Sequence, residues 1–211
     1  MLFDAPEYRF VSRWNVLGTP EEVSAILTDP RELPRWWPAV YLDVEPVATG
    51  DGRGVGRKVR LRSRGFLPYT LRWELEVTEA NGSRGLAVEA DGDLVGSGAW
   101  TFEAAGARTL ATYDWRVRAE KPLLRVLSPL FRPLLSANHR WAMERGEESL
   151  ELELARRRAS TPLAKSRVPP PPPPASASPI LVLGAGAVLG LLGFGLARRR
   201  SSRRRRSRVR R

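Results

Sequence analysis

At 211 residues the chain has room for one domain of ordinary size with appendages, and a folded unit of roughly 150 residues can bury a substantial apolar core. The net charge of +12 belongs to the tail: 12 of the 35 lysines and arginines lie beyond Ala159, where no Asp or Glu occurs, so the residues up to that point carry 23 of each sign, and the main reason to read them as a polyanion binder disappears. The absence of cysteine excludes disulfide frameworks, thiolate metal sites and cysteine nucleophiles, and the single histidine, His139, excludes designs that need two imidazoles; no metal site and no cofactor is expected.

Along the chain, the N-terminus places acids (Asp4, Glu7) where a secretory signal places basic residues, so no cleavable export signal is expected. Tyr8, Phe10, Trp14 and Val16 share a parity that predicts a strand to about Leu17, interrupted by Ser12. Thr19, Pro20, Glu21 and Glu22 then read as a helix start, with a capping residue, a first-turn proline and acids near the positive end of the dipole; Val23, Ile26 and Leu27 follow at helical spacing. Asp29 and Pro30 end that helix, and a second short one is expected over residues 31–37, closed by Pro38.

Residues 41–119 alternate strand patterns with turn clusters, which predicts an antiparallel meander. The clearest strand sets Tyr69, Leu71, Trp73, Leu75 and Val77 on a dry face and Arg72, Glu74 and Glu76 on a wet one; a later one sets Tyr113, Trp115 and Val117 inward. Gly96 and Gly98, ahead of Trp100 and Phe102, are expected to let a strand bend. Lys58, Arg60, Arg62 and Arg64 would make a basic stripe on one sheet face, either a membrane-docking surface or a solvated strand face. From Leu123 to about Arg158 the pattern is helical, complicated by Pro129 and Pro133; the uninterrupted helix is expected from near Pro133 to the Arg156, Arg157, Arg158 cluster at its negative end.

Residues 159–179 form a proline-rich linker whose six consecutive prolines, 169–174, favour a stiff extended rod, with an SH3-type ligand as the rival reading. Eighteen residues without a charge, Ile180 to Ala197, are expected to be a single membrane-spanning helix, weakly hydrophobic because of five glycines. The arginine-rich tail, residues 198–211, holds ten arginines and is expected to meet anionic lipid, a nucleic-acid role being the minority reading. Charge placement argues for a cytoplasmic tail and the missing leader for a cytosolic domain, so the side on which the folded part sits stays open.

The order strand, two short helices, antiparallel sheet and long C-terminal helix, together with Thr19 to Glu22, the run from Asp29 and Pro30 through Arg35, Trp36, Trp37 and Pro38, and Asn138 to Met143, resembles the START-like (SRPBCC) superfamily, specifically its polyketide cyclase/dehydrase and lipid-transport branch. The resemblance spans about residues 7–157 and implies an α+β helix-grip domain over residues 1–158: a curved antiparallel sheet wrapped around a long C-terminal helix, with a cavity for lipids, polyketides, sterols or other apolar molecules between them. Inward-facing Tyr69, Trp73, Trp100, Phe102, Tyr113 and Trp115 offer more aromatic surface than one helix readily covers, although rings that fill a core would look alike in sequence.

Trp36 and Trp37 cannot both face inward on one short element, so one is expected at the cavity mouth and the other beneath it. Asn138 and Arg145, seven residues apart on one helix face, are candidate polar anchors, Arg145 having surface pairing with Glu148 as its alternative. His139 is a weak candidate general base because no neighbouring carboxylate is evident to orient it. With no acid and base pair standing out, binding or transport of a hydrophobic small molecule by a membrane-attached domain is preferred to an aromatase/cyclase-like enzyme, and an interaction protein working through its tail and proline rod is the third class.

Overall fold

A computed structural model describes the backbone of residues 7–120 and 122–175 and the side chains of residues 7–120 and 133–175. Strand β1 (Glu7–Leu17) buries Tyr8, Trp14 and Val16 on one face and exposes the alternate residues, as the parity requires. Thr19 then caps α1 (Pro20–Leu27) reciprocally: its hydroxyl accepts from the Glu22 N–H at 3.3 Å, and the Glu22 carboxylate accepts from the Thr19 N–H at 2.9 Å. Pro20 occupies the first turn, where its missing donor is no loss. The Asp29 carboxylate accepts from the Arg31 N–H at 3.1 Å and opens a 3-10 turn (Pro30–Glu32) that runs directly into α2 (Leu33–Trp36).

The remaining strands are β2 (Tyr41–Thr49), β3 (Arg57–Ser63), β4 (Leu71–Ala80), β5 (Gly85–Gly92), β6 (Leu94–Ala105) and β7 (Arg108–Ala119). Among the described residues they form, with β1, one seven-stranded antiparallel sheet in the order β1-β7-β6-β5-β4-β3-β2. β1 and β2 are neighbours in sequence but lie at opposite edges, so α1 and α2 carry the chain across. Helix α3 (Pro122–Arg158) packs on β1, α1 and α2, and this is the α+β helix-grip arrangement: a curved sheet closed by a long C-terminal helix.

The helix starts earlier than the sequence suggests. It runs 37 residues from Pro122, which takes the first-turn place that suits proline, and continues through Pro129 and Pro133 although each removes one intrahelical donor. Its other end is fastened by charge. The Glu153 carboxylate, 2% exposed, accepts two bonds from Arg35 on α2 at 2.8 Å each and one from Arg157 Nε at 2.8 Å, while Arg158 meets Glu22 on α1 through Nε and Nη2 at 2.8 and 2.5 Å. The buried Glu153 thereby joins α2 to α3, and the Arg158–Glu22 pair joins α1 to α3.

Two residues of the expected basic stripe are neutralised across strands. Lys58 pairs with Glu76 at 2.8 Å, and Arg60 with Glu74 at 2.9 Å and Glu45 at 3.1 Å, because the register sets these residues opposite one another. Beyond α3 the chain is not simply a free rod: residues 162–167 form α4 (Pro162–Arg167), capped by the Thr161 hydroxyl, and the prolines fold back so that Pro172 is buried.

The single-pass membrane placement is corrected. Among the described residues no helix is long and apolar enough to cross a membrane; α3 has the length but carries charges such as Arg140, Glu144, Arg145, Glu147 and Glu148 along it. The expected span, residues 180–197, and the arginine-rich tail lie outside the described residues.

Candidate functional site

Between the concave face of the sheet and α3 lies a cavity of about 200 Å³. Strand alternation supplies its walls. Trp73, Leu75 and Val77 of β4, Trp100 of β6, and Tyr113, Trp115 and Val117 of β7 all project into it, and Tyr69, just ahead of β4, closes one side. Gly98 makes this crowding possible: a β-carbon there would collide with the Tyr113 hydroxyl and the Trp115 ring, so the two large side chains occupy the volume that a residue on β6 would otherwise fill. Tyr113 stacks between Trp100 (centroids 4.6 Å apart) and Trp115 (5.6 Å), which holds the three rings as one wall.

The tryptophan pair divides its labour. Trp37 lines the cavity and packs edge-on against Trp14 at 5.4 Å and Tyr41 at 5.2 Å, whereas Trp36 is wholly buried beside it and touches no part of the cavity. Helix α3 admits Trp37 closely because Gly146 has no side chain to block the indole. Asn138 lines the cavity and its Oδ1 accepts from the Leu67 N–H at 3.2 Å, tying α3 to the loop between β3 and β4. Arg145 is not brought to the cavity. Its guanidinium meets Glu148 at 2.7 Å on the helix surface.

His139 also lines the cavity, stacked on Phe10 at 4.2 Å with Nε2 3.2 Å from the Ser12 hydroxyl. Burial, aided by the neighbouring Arg140 charge, lowers its pKa to about 4, so the imidazole is neutral at pH 7. The cavity tyrosines are driven the opposite way by the same desolvation: Tyr69 is raised to about 12, and Tyr41 and Tyr113 further still. They stay protonated and can only donate or accept as neutral phenols. No Asp or Glu is among the described lining residues, and among the described residues no cluster of His, Asp and Glu is placed to hold a metal.

Among the lining residues that escape sequence reading are Arg64 and Tyr41. Arg64 has the parity of the outward arginines of β3, but the strand ends at Ser63 and the chain bends over residues 66–68, so parity no longer fixes its direction. Strand pairing gives no earlier signal, since Arg62, which stays exposed, likewise faces no acid on β4 but Arg72. Tyr41 follows the α2 turn, at the first position of an edge strand whose alternation is weak.

The family described as polyketide cyclase / dehydrase and lipid transport matches residues 11–154. Among solved structures the chain is similar to TTHA0849 from Thermus thermophilus, with 21% identity and a TM-score of 0.56 over 74% of this chain and 100% of that one. It is also similar to the Zhui aromatase/cyclase from Streptomyces sp. R1128, with 18% identity and a TM-score of 0.57 over 72% and 96% of the two chains. The di-domain ARO/CYC BexL is matched over 69% of this chain and 49% of its own, at 15% identity and a TM-score of 0.51. At these identities the likeness concerns the fold alone, and no curated protein matches the sequence. The family match covers most of the helix-grip domain, from within β1 to the last turns of α3, and on that ground the chain belongs to the polyketide cyclase/dehydrase and lipid transport family.

Proposed function

We infer that this protein binds a hydrophobic small molecule, lipid-like or polyketide-like, in the cavity between sheet and α3. The observation that carries the reading is the chemistry of the walls: aromatic and aliphatic side chains, neutral phenols, a neutral imidazole and a single guanidinium, with no carboxylate among the described lining residues. Such a surface favours an apolar guest oriented by a few polar contacts. A volume of about 200 Å³ lies below the roughly 300–1,000 Å³ usual for drug-sized ligands, so the cavity in this state suits a slender or small guest. The site residues of this reading are Trp37, Tyr69, Trp73, Trp100, Tyr113, Trp115 and Asn138, with Arg64 added. Native mass spectrometry of the purified full chain tests it: a retained apolar molecule, or uptake of a supplied one, is expected, and a chain that stays empty against a panel of fatty acids, sterols and aromatic polyketides rules it out.

A second reading, an aromatase/cyclase-like enzyme, has one observation in its favour. His139 is a neutral base at the cavity wall, and protonated Tyr69 and Tyr113 face the same space. Turnover of a supplied poly-β-ketone, abolished by His139→Ala while binding persists, would establish catalysis through His139; unchanged turnover in that variant removes His139 from the chemistry, and none in the parent leaves binding alone.

A further inference from the structure

Arg64 is the only arginine or lysine among the described residues lining the cavity. Its Nη2 donates to the Ala175 carbonyl at 2.9 Å, whereas its Nε is buried without a partner. The Nε–H and Nη2–H of a guanidinium lie along one edge, and that edge meets both oxygens of a carboxylate. Three other arginines of this chain use it so: Arg9 on Asp114 at 3.0 and 2.7 Å, Arg31 on Asp29 at 2.8 and 2.7 Å, and Arg158 on Glu22 at 2.8 and 2.5 Å. On Arg64 one backbone oxygen takes half of the edge, and the other half is a charged donor out of water with nothing to bind.

That oxygen arrives on the proline segment. Prolines have no N–H, so residues 169–174 can be fastened through their carbonyls and rings but through no backbone donor of their own. Arg156 Nη2 holds the Pro169 carbonyl at 2.8 Å at one end, Pro172 is buried midway, and Arg64 holds the Ala175 carbonyl at the other. The segment is thus a strap, and its far end rests on the one arginine among the described residues of the cavity wall.

We propose that Arg64 is a carboxylate subsite of the cavity, masked by the proline strap: an apolar ligand bearing a carboxylate takes the Nε and Nη2 edge and displaces the Ala175 carbonyl. This rests on the reading of the cavity as a ligand site and names the ligand class, an apolar monocarboxylate. Ligand and strap compete for the same donors, and competition is reciprocal, so loosening the strap strengthens binding of the acid by about fivefold, at the low end of couplings between sites. A neutral ligand of equal length, which has no claim on both donors, is indifferent to the strap.

The test titrates the full chain with octanoate and with 1-octanol at pH 7, followed by tryptophan fluorescence and calorimetry. Octanoate is expected to bind about tenfold more tightly than octanol. Arg64→Lys, which keeps the charge but loses the paired donors, and Arg64→Met should both abolish that preference, octanoate falling to the affinity that octanol shows in the same variant. Replacement of residues 169–174 by alternating glycine and serine should strengthen octanoate about fivefold and leave octanol unchanged. Equal affinity for acid and alcohol in the parent chain, or an octanoate affinity unmoved by the strap replacement, overturns the proposal and leaves the cavity reading standing. If neither compound binds the parent or the strap variant, the cavity reading falls and this proposal with it. Should the Arg64 variants fail to fold, the parent and the strap variant still decide, since those substitutions lie outside the sheet and α3.

Discussion

His139 shows how far a single side chain is governed by its surroundings. Its folded pKa of about 4 lies below the ordinary value of 6.5, so the unfolded chain binds the proton more readily. The stabilisation is complete above pH 6.5 and is lost as pH falls toward 4, amounting to at most about 3 kcal/mol for a side chain this deeply placed. Urea denaturation of the parent and of His139→Gln across pH 7 to 4 checks this: the parent should lose stability over that interval and the variant should lose markedly less. Gly98 gives a steric counterpart. Gly98→Val would drive a methyl group into the volume held by Tyr113 and Trp115, with an expected cost of about 1–3 kcal/mol and loss of ligand uptake. Denaturant midpoints and fluorescence titration of the variant test both effects. The glycine is plain in the sequence, but what occupies the space beside it is settled by β7 lying across from β6 in this register.

At the scale of elements, the local signals read reliably. The cap of α1 at Thr19 is present with both of its bonds, and Thr19→Ala should cost about 1 kcal/mol in thermal or chemical denaturation. The buried Glu153 is of another kind. Its pKa is lowered to about 2 because the benefit of Arg35 and Arg157 outweighs the penalty of burial, so it stabilises the fold fully above pH 4.5 and progressively less as pH falls toward 2. Glu153→Ala would leave Arg35 with Glu32 as its remaining carboxylate and release α2 from α3, with an expected loss of about 1–3 kcal/mol, since Arg35 and Arg157 both stay partly in water, and removal of that part of the acid transition. Arg156, Arg157 and Arg158 were legible as a helix end suited to its dipole, but the α1 groups that two of them meet, the Ala25 carbonyl for Arg157 and Glu22 for Arg158, more than a hundred residues earlier, were not. Periodicity reports which face of an element is dry and says nothing of which charge another element will bring to it.

For the whole molecule, binding in the cavity should appear as stability. A ligand at a hundred times its Kd adds about 2.7 kcal/mol, a rise in Tm of roughly 5 °C or more for a domain of this size, whereas a compound bound only on the surface of the unfolded chain would lower it. Differential scanning calorimetry with and without octanoate reads this directly. The closing of the sheet on one long helix was what the resemblance to the START-like superfamily implied, whereas the α+β order of elements followed from the sequence by itself, because helix starts and stops, turn residues and period-two alternation are local properties. Tyr69, Trp73, Trp100, Tyr113 and Trp115 were legible as inward residues on the same grounds. The pairing of distant segments decided the rest, because depth and partnership are properties of packing: which of Trp36 and Trp37 meets the cavity, why Arg145 turns away to Glu148, and why Arg64, at the end of an outward row, turns inward to lie under a proline strap. No periodicity within a segment carries that information, since each outcome depends on atoms brought from elsewhere in the chain.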